Sequence, residues 1–186
     1  LLLVSVFNMV FNATYRHGVL LTQYRELHPD DFGKDGYTEQ LIYSRLQSEG
    51  EILQYDVLKR LNSYEGGTKN SILFNAAALG YSAPILSTRP IFFSRWDNTA
   101  AFSKRAAGNY LLRLRELGIN DIRCGQKFGT ATDCLNPIID NRINELEKEE
   151  LDMLSEKYQM GFVVRTKALS DYDLIYKNTR YYVYKL

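Results

Sequence analysis

The sequence predicts an α/β fold: a three-layer-like domain with a mostly parallel central sheet, a C-terminal antiparallel hairpin and an N-terminal helical segment. Two observations lead to this prediction. From residue 71 onward, short apolar stretches alternate with amphipathic helical ones, which is the order typical of parallel sheets. The last stretch instead places two apolar runs on either side of "KNTR", which favours an antiparallel pair.

The chain begins with an apolar run, "LLLVSVFNMVF", interrupted only by Ser5 and Asn8. A membrane-spanning helix needs about 20 apolar residues, so this run alone is too short to cross a bilayer. It also lacks the basic segment and the small-residue cleavage pattern of a signal peptide. Three interpretations stay open: the end of a longer membrane helix, a buried strand, or a helix packed on the core.

Residues 1–37 are predicted to form this apolar and helical N-terminal segment with a linker, and residues 38–186 a single α/β domain. The linker "PDDFGKDG" combines proline and glycines with charged residues, as loops do. A helical region starts at Thr38 and ends at the glycines of "NSYEGGTKN". Its apolar residues recur at helical spacing: Ile42, Leu46, Ile52, Leu53, Val57, Leu58 and Leu61.

Two strand-like stretches follow this helix. "SILFNA" is typical of a buried strand, and "PILSTRPIFF" is predicted to be extended but interrupted at Pro90, which cannot donate to a ladder. The next stretch, "WDNTAAFSKRAAGNYLLRLRELG", predicts a helix that Asp97 or Asn98 caps and that Gly118 ends. "INDIRCG" is predicted to be a short strand.

The C-terminal part predicts one long helix, one strand and a hairpin. "PIIDNRINELEKEELDMLSEKYQM" has an acidic outer face and an apolar stripe of Ile139, Ile143, Leu146, Leu151 and Leu154. "GFVVRT" indicates a strand, and "DLIYKNTRYYVYKL" indicates a hairpin that turns at "KNTR".

Motifs for catalysis or cofactor binding are absent from the sequence. It contains no G-x-G-x-x-G, no Walker A and no G-x-S-x-G pattern. Its two histidines, His17 and His28, both precede the predicted α/β domain, and its cysteines lack zinc-site spacing. We therefore expect no catalytic residues, no metal and no cofactor in this chain. The formal net charge of +1 argues against a nucleic-acid partner.

Cys124 and Cys134 enclose a glycine-containing loop, "CGQKFGTATDC". In an oxidising compartment they would form a disulfide that stabilises the fold by about 2–3 kcal/mol. In a reducing compartment they would be two free thiols. A possible Cys124–Cys134 disulfide is therefore linked to the location of the protein.

Charge is unevenly distributed along the chain. Between Arg89 and Lys127 there are eight basic and three acidic residues, a local net charge of +5. Between Asp140 and Lys157 there are seven acidic and three basic residues, a local net charge of −4. Either the basic region binds an anion or a lipid headgroup, or it pairs with the acidic helix within the fold. The candidate anion- or headgroup-binding residues are Arg89, Arg95, Trp96, Lys104 and Arg105.

The stretches "KYQMGFVV" and "LIYKNTRYYVYKL" resemble the soluble extracytoplasmic domain that follows the last membrane helix in many polytopic bacterial membrane proteins. These proteins include glycosyltransferases of the mannosyltransferase-like class. Upstream, "SILFNAAALGYSAPILSTRPIFFSRW" is similar to a segment of the same domain. The resemblance covers about residues 55–186 and brings no catalytic signature with it.

This resemblance implies a membrane-associated, extracytoplasmic domain whose apolar start is the end of a final membrane helix. Its role would be accessory, or recognition of a substrate such as a lipid-linked sugar, without catalysis of its own. Anionic lipid would be a second partner. Two alternatives remain: an independent transferase acting on a phosphorylated or sugar substrate, and a protein–protein interaction module of a larger membrane-associated assembly.

Overall fold

The computed structural model of the chain describes residues 46, 48–65, 68–93, 104–120 and 131–186. Contacts group Ser48–Leu186 into one unit. The predicted N-terminal segment, residues 1–37, and the predicted boundary at residue 38 lie outside the described residues. Within the described ranges, no helix combines the length and the apolar character needed to cross a membrane.

The predicted α/β class is confirmed. A five-stranded mixed sheet has the strand order β2-β1-β3-β5-β4. β1 pairs in parallel with β2 and β3, while β5 runs antiparallel to both β3 and β4. In chain order the elements are α1 (Glu49–Asn62), β1 (Ser71–Asn75), a 3₁₀ turn (Gly80–Ser82), α2 (Ala83–Leu86), β2 (Ile91–Phe93), α3 (Lys104–Glu116), α4 (Ala131–Glu145), α5 (Lys148–Tyr158), β3 (Met160–Arg165), β4 (Leu174–Lys177) and β5 (Tyr182–Lys185).

Helices contact both faces of the sheet. Leu73, Val163 and Tyr184 lie side by side on adjacent strands and belong to the buried cluster that α3, α4 and α5 complete. Side chains alternate between the faces of a strand, so Phe162 points to the other face. There its ring meets Tyr64, which follows α1, edge-on at 5.5 Å.

Helix α1 begins at Glu49 because Ser48 and Glu51 form a reciprocal capping box. The helix buries Val57, Leu58 and Leu61, as the apolar spacing predicts. Ile52, in the first turn, is 36% exposed, and Leu53 is half-buried. The predicted helical residues 38–45 lie outside the described part of the chain.

The extended stretch predicted for residues 84–93 is wrong in its first half. Ala83–Leu86 form the short helix α2, with Pro84 in the first turn, where a missing N–H costs nothing. Only Ile91–Phe93 form a strand. Pro90 precedes that strand, and its carbonyl accepts a hydrogen bond from the backbone N–H of Ile72 at 2.8 Å.

The single long helix predicted from Pro137 to Met160 is two helices. Glu147 has an extended backbone and forms a capping box with Glu150, so a new helix starts at Lys148. The predicted apolar stripe is buried all the same, but α4 and α5 share it. Helix α5 ends at Tyr158, and the next residue, Gln159, has a left-handed backbone.

Helix α3 ends as predicted, since Gly118 has a φ of 76°. Its predicted caps, Asp97 and Asn98, lie outside the described residues. The same is true of residues 121–125 of the predicted "INDIRCG" strand, and the two described residues before them are not in a strand.

Candidate functional site

The chain leaves the carboxyl ends of β1 and β3 in opposite directions. After β1 it leads to β2 on one side of the sheet, and after β3 it leads to β4 and β5 on the other. Such a reversal between adjacent parallel strands opens a crevice in which α/β proteins typically bind ligands. We call this place the switch crevice; its polar residues are Asn75, Asp140, Asn144, Arg165, Thr166 and Tyr181.

Asn75, the last residue of β1, connects the sheet to two helices. Its side chain is 3% exposed, and the amide donates to Asp140 Oδ1 at 2.9 Å and to the carbonyl of Asn136 at 3.3 Å. Its backbone carbonyl accepts from Gln54 Nε2 at 3.2 Å. The end of β1 is therefore fixed to α4 and to α1 through hydrogen bonds.

Asn144 on α4 determines the path of the chain after β3. Its Oδ1 accepts from the backbone N–H groups of Thr166 and Lys167, at 2.9 and 3.1 Å. Its Nδ2 donates to Thr166 Oγ1 and to the carbonyl of Asp140, each at 2.8 Å. One side chain thus satisfies two backbone donors that have left the sheet ladder.

Arg165, the last residue of β3, is only 5% exposed although it carries a charge. Its guanidinium donates to the carbonyl of Leu146 at 3.2 Å and to the carbonyl of Asn144. These carbonyls lie at the C-terminal end of α4, where the partial negative charge of the helix favours a cation. Burial lowers the pKa of Arg165. Its Nε has no hydrogen-bond partner among the described residues.

Asp140 and Tyr181 complete the polar wall of the crevice. Burial raises the pKa of Asp140, and the hydrogen bond from Asn75 and the nearby charge of Arg180 oppose the increase. Tyr181 lies edge-on to the ring of Phe74 at 5.5 Å. Its hydroxyl accepts a hydrogen bond from Gln54 Nε2 at 3.2 Å, which leaves the hydroxyl proton available for donation.

The enclosed part of the switch crevice is small. It leaves about 10 Å³ for the centre of a water-sized group, with Phe74, Ile143 and Val164 as its apolar walls. That volume corresponds to about one water molecule or one ligand atom with its hydrogens. The crevice can therefore accept a single small polar group, not a whole cofactor.

A second, open groove of about 460 Å³ lies at the α4–α5 junction and shares Arg165 with the crevice. Four exposed carboxylates line it, together with Lys148. Among the described residues, no three histidine, cysteine or acidic side chains converge in a way that would hold a metal ion. The carboxylates are Glu145, Glu147, Glu149 and Asp171.

Of the predicted anion-binding residues, the structure describes the side chain of Arg89. Its Nε donates to the carbonyl of Leu61 at 2.9 Å, and its Nη2 donates to the carbonyl of Tyr64. The guanidinium carbon lies 4.9 Å from the centre of the Phe162 ring. Arg89 therefore closes the C-terminal end of α1, as basic side chains at helix ends do.

The other predicted site residues are described in part or not at all. Arg95 and Trp96 lie outside the described residues, and Lys104 and Arg105 begin α3 without a description of their side chains. Anion binding there stays a prediction. Cys134 is buried on α4, whereas Cys124 lies outside the described part of the chain, so their disulfide also stays a prediction.

The described ion pair between the basic and the acidic region joins an acidic residue of the basic region to a basic residue of the acidic region. Lys157, in the acidic region, donates to both carboxylate oxygens of Glu116, in the basic region, at 2.8 Å. Arg113 instead donates to the carbonyl of Phe92 at 2.7 Å. These described contacts join α3 to its neighbours. They do not pair the excess basic residues of the +5 stretch with the excess acidic residues of the −4 stretch.

The switch crevice is not among the sites predicted from the sequence. Asn75 and Arg165 each end an apolar strand, in "SILFN" and "GFVVR". Polar residues at the carboxyl ends of two parallel strands indicate a shared site, because those ends meet at one edge of the sheet. That signal was present, but a search for catalytic motifs does not detect it.

The fold and the crevice together define an α/β domain with a preformed polar site at the carboxyl edge of its parallel strands. No protein-family model, curated protein or solved structure matches the chain.

Proposed function

We propose that the described unit is a recognition domain, without catalysis of its own, that binds its ligand at the switch crevice. The observation that supports this proposal is that hydrogen bonds already fix the side chains of the crevice walls. Asn75 holds Asp140, Asn144 holds Thr166, and α4 holds Arg165. Walls that are already ordered lose little conformational entropy on binding, which favours recognition.

The groups that line the crevice favour binding over an independent transferase activity. Among the described residues that line it, Asp140 is the single carboxyl group, and none is a histidine or cysteine. Proton transfer in both directions usually needs two groups with separate pKa values. Asp140 alone, held by Asn75, suits the role of a fixed acceptor.

We propose further that this domain works on the extracytoplasmic side of a membrane-embedded protein. Two sequence features support this context: the apolar run that opens the chain, and the resemblance of residues 55–186 to domains that follow a last membrane helix. In that setting the ligand would belong to a membrane-bound substrate, such as a lipid-linked sugar.

Ligand binding can be tested by NMR on the isotope-labelled 186-residue chain. The probes are methyl glycosides of neutral hexoses, hexose phosphates and vesicles that contain anionic lipid. We expect amide shifts at Asn144, Thr166 and Lys167 with at least one soluble probe. Shifts confined to Arg89 and the start of α3 would favour the anion-binding alternative, and turnover of a probe would contradict a purely binding role.

The membrane context needs a separate experiment on the natural full-length protein. An epitope placed after Leu186 is probed with antibody in intact and in permeabilised cells. We expect labelling without permeabilisation of the cytoplasmic membrane, because the domain would lie on the outer face of that membrane or in a periplasm. In cells with an outer membrane, only that outer membrane is permeabilised. Labelling that requires permeabilisation of the cytoplasmic membrane would contradict the proposed location.

A further inference from the structure

The walls of the switch crevice offer hydrogen-bonding groups of both kinds. Asp140 supplies a carboxylate acceptor, since Asn75 donates to its Oδ1. Tyr181 supplies a hydroxyl proton, since its oxygen already accepts from Gln54. Both side chains line the same enclosed space.

The size of the enclosed space restricts the group that enters. About 10 Å³ admits one non-hydrogen atom with its hydrogens. A phosphate or a carboxylate has three or more heavy atoms at its end and does not fit. A hydroxyl, an ammonium group or a water molecule does.

Hydrogen-bond chemistry separates the groups that fit. An ammonium group only donates, so it would satisfy Asp140 but leave the proton of Tyr181 without an acceptor, beside the buried cation of Arg165. A hydroxyl both donates and accepts, so it satisfies Asp140 and Tyr181 together.

Charge near the crevice does not by itself select an anion. The groove beyond Arg165 carries four exposed carboxylates and one ammonium group, that of Lys148. The guanidinium carbon of Arg180 lies 5.4 Å from the centre of the Tyr181 ring, so charges of both signs lie near the crevice. The size of the enclosed space and its hydrogen-bonding groups therefore determine the class of ligand.

We infer that the switch crevice binds a hydroxyl group of a neutral polyhydroxylated ligand, the hydroxyl donating to Asp140 and accepting from Tyr181. This inference rests on the proposed recognition function and names the class of ligand for the same site. A neutral sugar and a cyclic polyol carry the required group; a sugar phosphate bound through its phosphate does not use it.

The test compares neutral and charged probes on the 186-residue chain. Methyl glycosides of neutral hexoses, myo-inositol and hexose phosphates are titrated while the amides of Asn144, Thr166 and Lys167 are followed by NMR. The probe that binds most tightly is then compared with its deoxy derivatives. We expect a neutral probe to bind and one deoxy position to weaken binding about tenfold, because a wall group then loses its partner.

A matched pair of variants checks the same contact from the protein side. Tyr181→Phe keeps the ring on Phe74 and removes only the hydroxyl, and we expect it to weaken binding of the neutral probe about tenfold. Tyr158→Phe is the control, because that half-buried tyrosine lies at the amino end of β3, on the opposite edge of the sheet. The Tyr158→Phe variant should bind the neutral probe as tightly as the parent does.

The possible failures are distinguishable. If hexose phosphates shift the crevice amides and neutral probes do not, the hydroxyl inference is overturned while the recognition function stands. If a neutral probe binds there but every deoxy derivative and Tyr181→Phe bind equally well, the inference also fails. If no probe shifts these amides at its solubility limit, the crevice holds water only, and both proposals fail.

Discussion

Arg165 and Asn144 each hold the element to which the other belongs. The guanidinium of Arg165, on β3, donates to the backbone carbonyl of Asn144, on α4. In return, the side chain of Asn144 accepts from the backbone of Thr166, the residue after Arg165. The strand end thus closes the helix, and the helix end shapes the loop after the strand. The walls of the switch crevice depend on this reciprocal contact.

Replacing Arg165 with methionine should lower the free energy of unfolding by about 2 kcal/mol. The variant keeps the buried volume but leaves the carbonyls of Asn144 and Leu146 without their donors at the end of α4. Urea unfolding measures the change. Lys167→Met, at an exposed neighbouring position, is the control and should stay within about 0.5 kcal/mol. Equal stability of Arg165→Met and the parent would mean that the desolvation cost of the buried charge offsets its bonds.

Arg89→Ala should lower the free energy of unfolding by about 1–2 kcal/mol, because its guanidinium holds the carbonyls of Leu61 and Tyr64 at the end of α1. Urea unfolding and vesicle binding are measured on the same preparation. A loss of binding to anionic vesicles with unchanged stability would contradict this structural role and support the predicted anion site.

Gly161→Ala should destabilise the protein by about 3 kcal/mol or prevent folding. A Cβ atom at this position would lie 2.2 Å from the carbonyl oxygen of Lys69, and that atom belongs to the backbone, which cannot turn aside as a side chain does. Gly108→Ala is the matched control. It lies within α3 with no atom near the new methyl group, so it should stabilise the protein by about 0.5–1 kcal/mol. Thermal or urea unfolding of both variants decides; tolerance of alanine at residue 161 would refute the close approach.

Asp140→Asn should make the protein more stable than the parent near neutral pH. Burial raises the pKa of Asp140 above its ordinary value, so the folded state binds the proton more tightly than the unfolded state. The stability that this proton contributes is fully present below the ordinary pKa and is lost as the pH rises through the raised one. The advantage of the variant should therefore shrink in acid, as urea unfolding across that range would measure.

Asp152→Asn is the control for the Asp140 experiment, because its expected change in stability near neutral pH has the opposite sign. Hydrogen bonds from Lys148 and Tyr172 lower the pKa of Asp152, so its contribution is present near neutral pH and lost in acid. The asparagine variant should thus be the less stable protein near neutral pH only. The same pH trend in both variants would contradict the assigned causes.

Cys124 and Cys134 should form a disulfide in protein isolated from an oxidising compartment. Mass spectrometry of the unreduced, denatured protein should show no thiol that reacts with maleimide. Reduction should lower the free energy of unfolding by about 2–3 kcal/mol, since the unfolded chain gains freedom. Two reactive thiols in freshly isolated protein would contradict the proposed extracytoplasmic location.

The apolar pattern was enough to predict β1 and β3, because the buried residues of each are contiguous. The hairpin was predicted from the two apolar runs on either side of "KNTR", although β4 has no buried residue. The break between α4 and α5 was missed because the apolar stripe continues through it. Its local signal was Glu147 followed by Glu150, a capping pair with a less common first residue.

The crevice was harder to predict because its residues are distant in sequence. Asn75 and Arg165 are brought together only by the pairing of β1 with β3. The prediction that Arg89 binds an anion rests on its charge, and charge alone does not reveal nearby backbone carbonyls. Those carbonyls belong to α1 and the turn after it, more than 20 positions earlier in the chain.

The pairing of β1 with β3 also has a consequence for folding kinetics. Ile72 and Phe162 face each other across a chain separation of 90 positions, whereas β5 pairs with β3 and β4 over at most 23 positions. The contact between β1 and β3 cannot form by local search, and closing such a long loop has an entropic cost that precedes any gain from burial. We therefore expect β1 to join β3 after β3, β4 and β5 have paired.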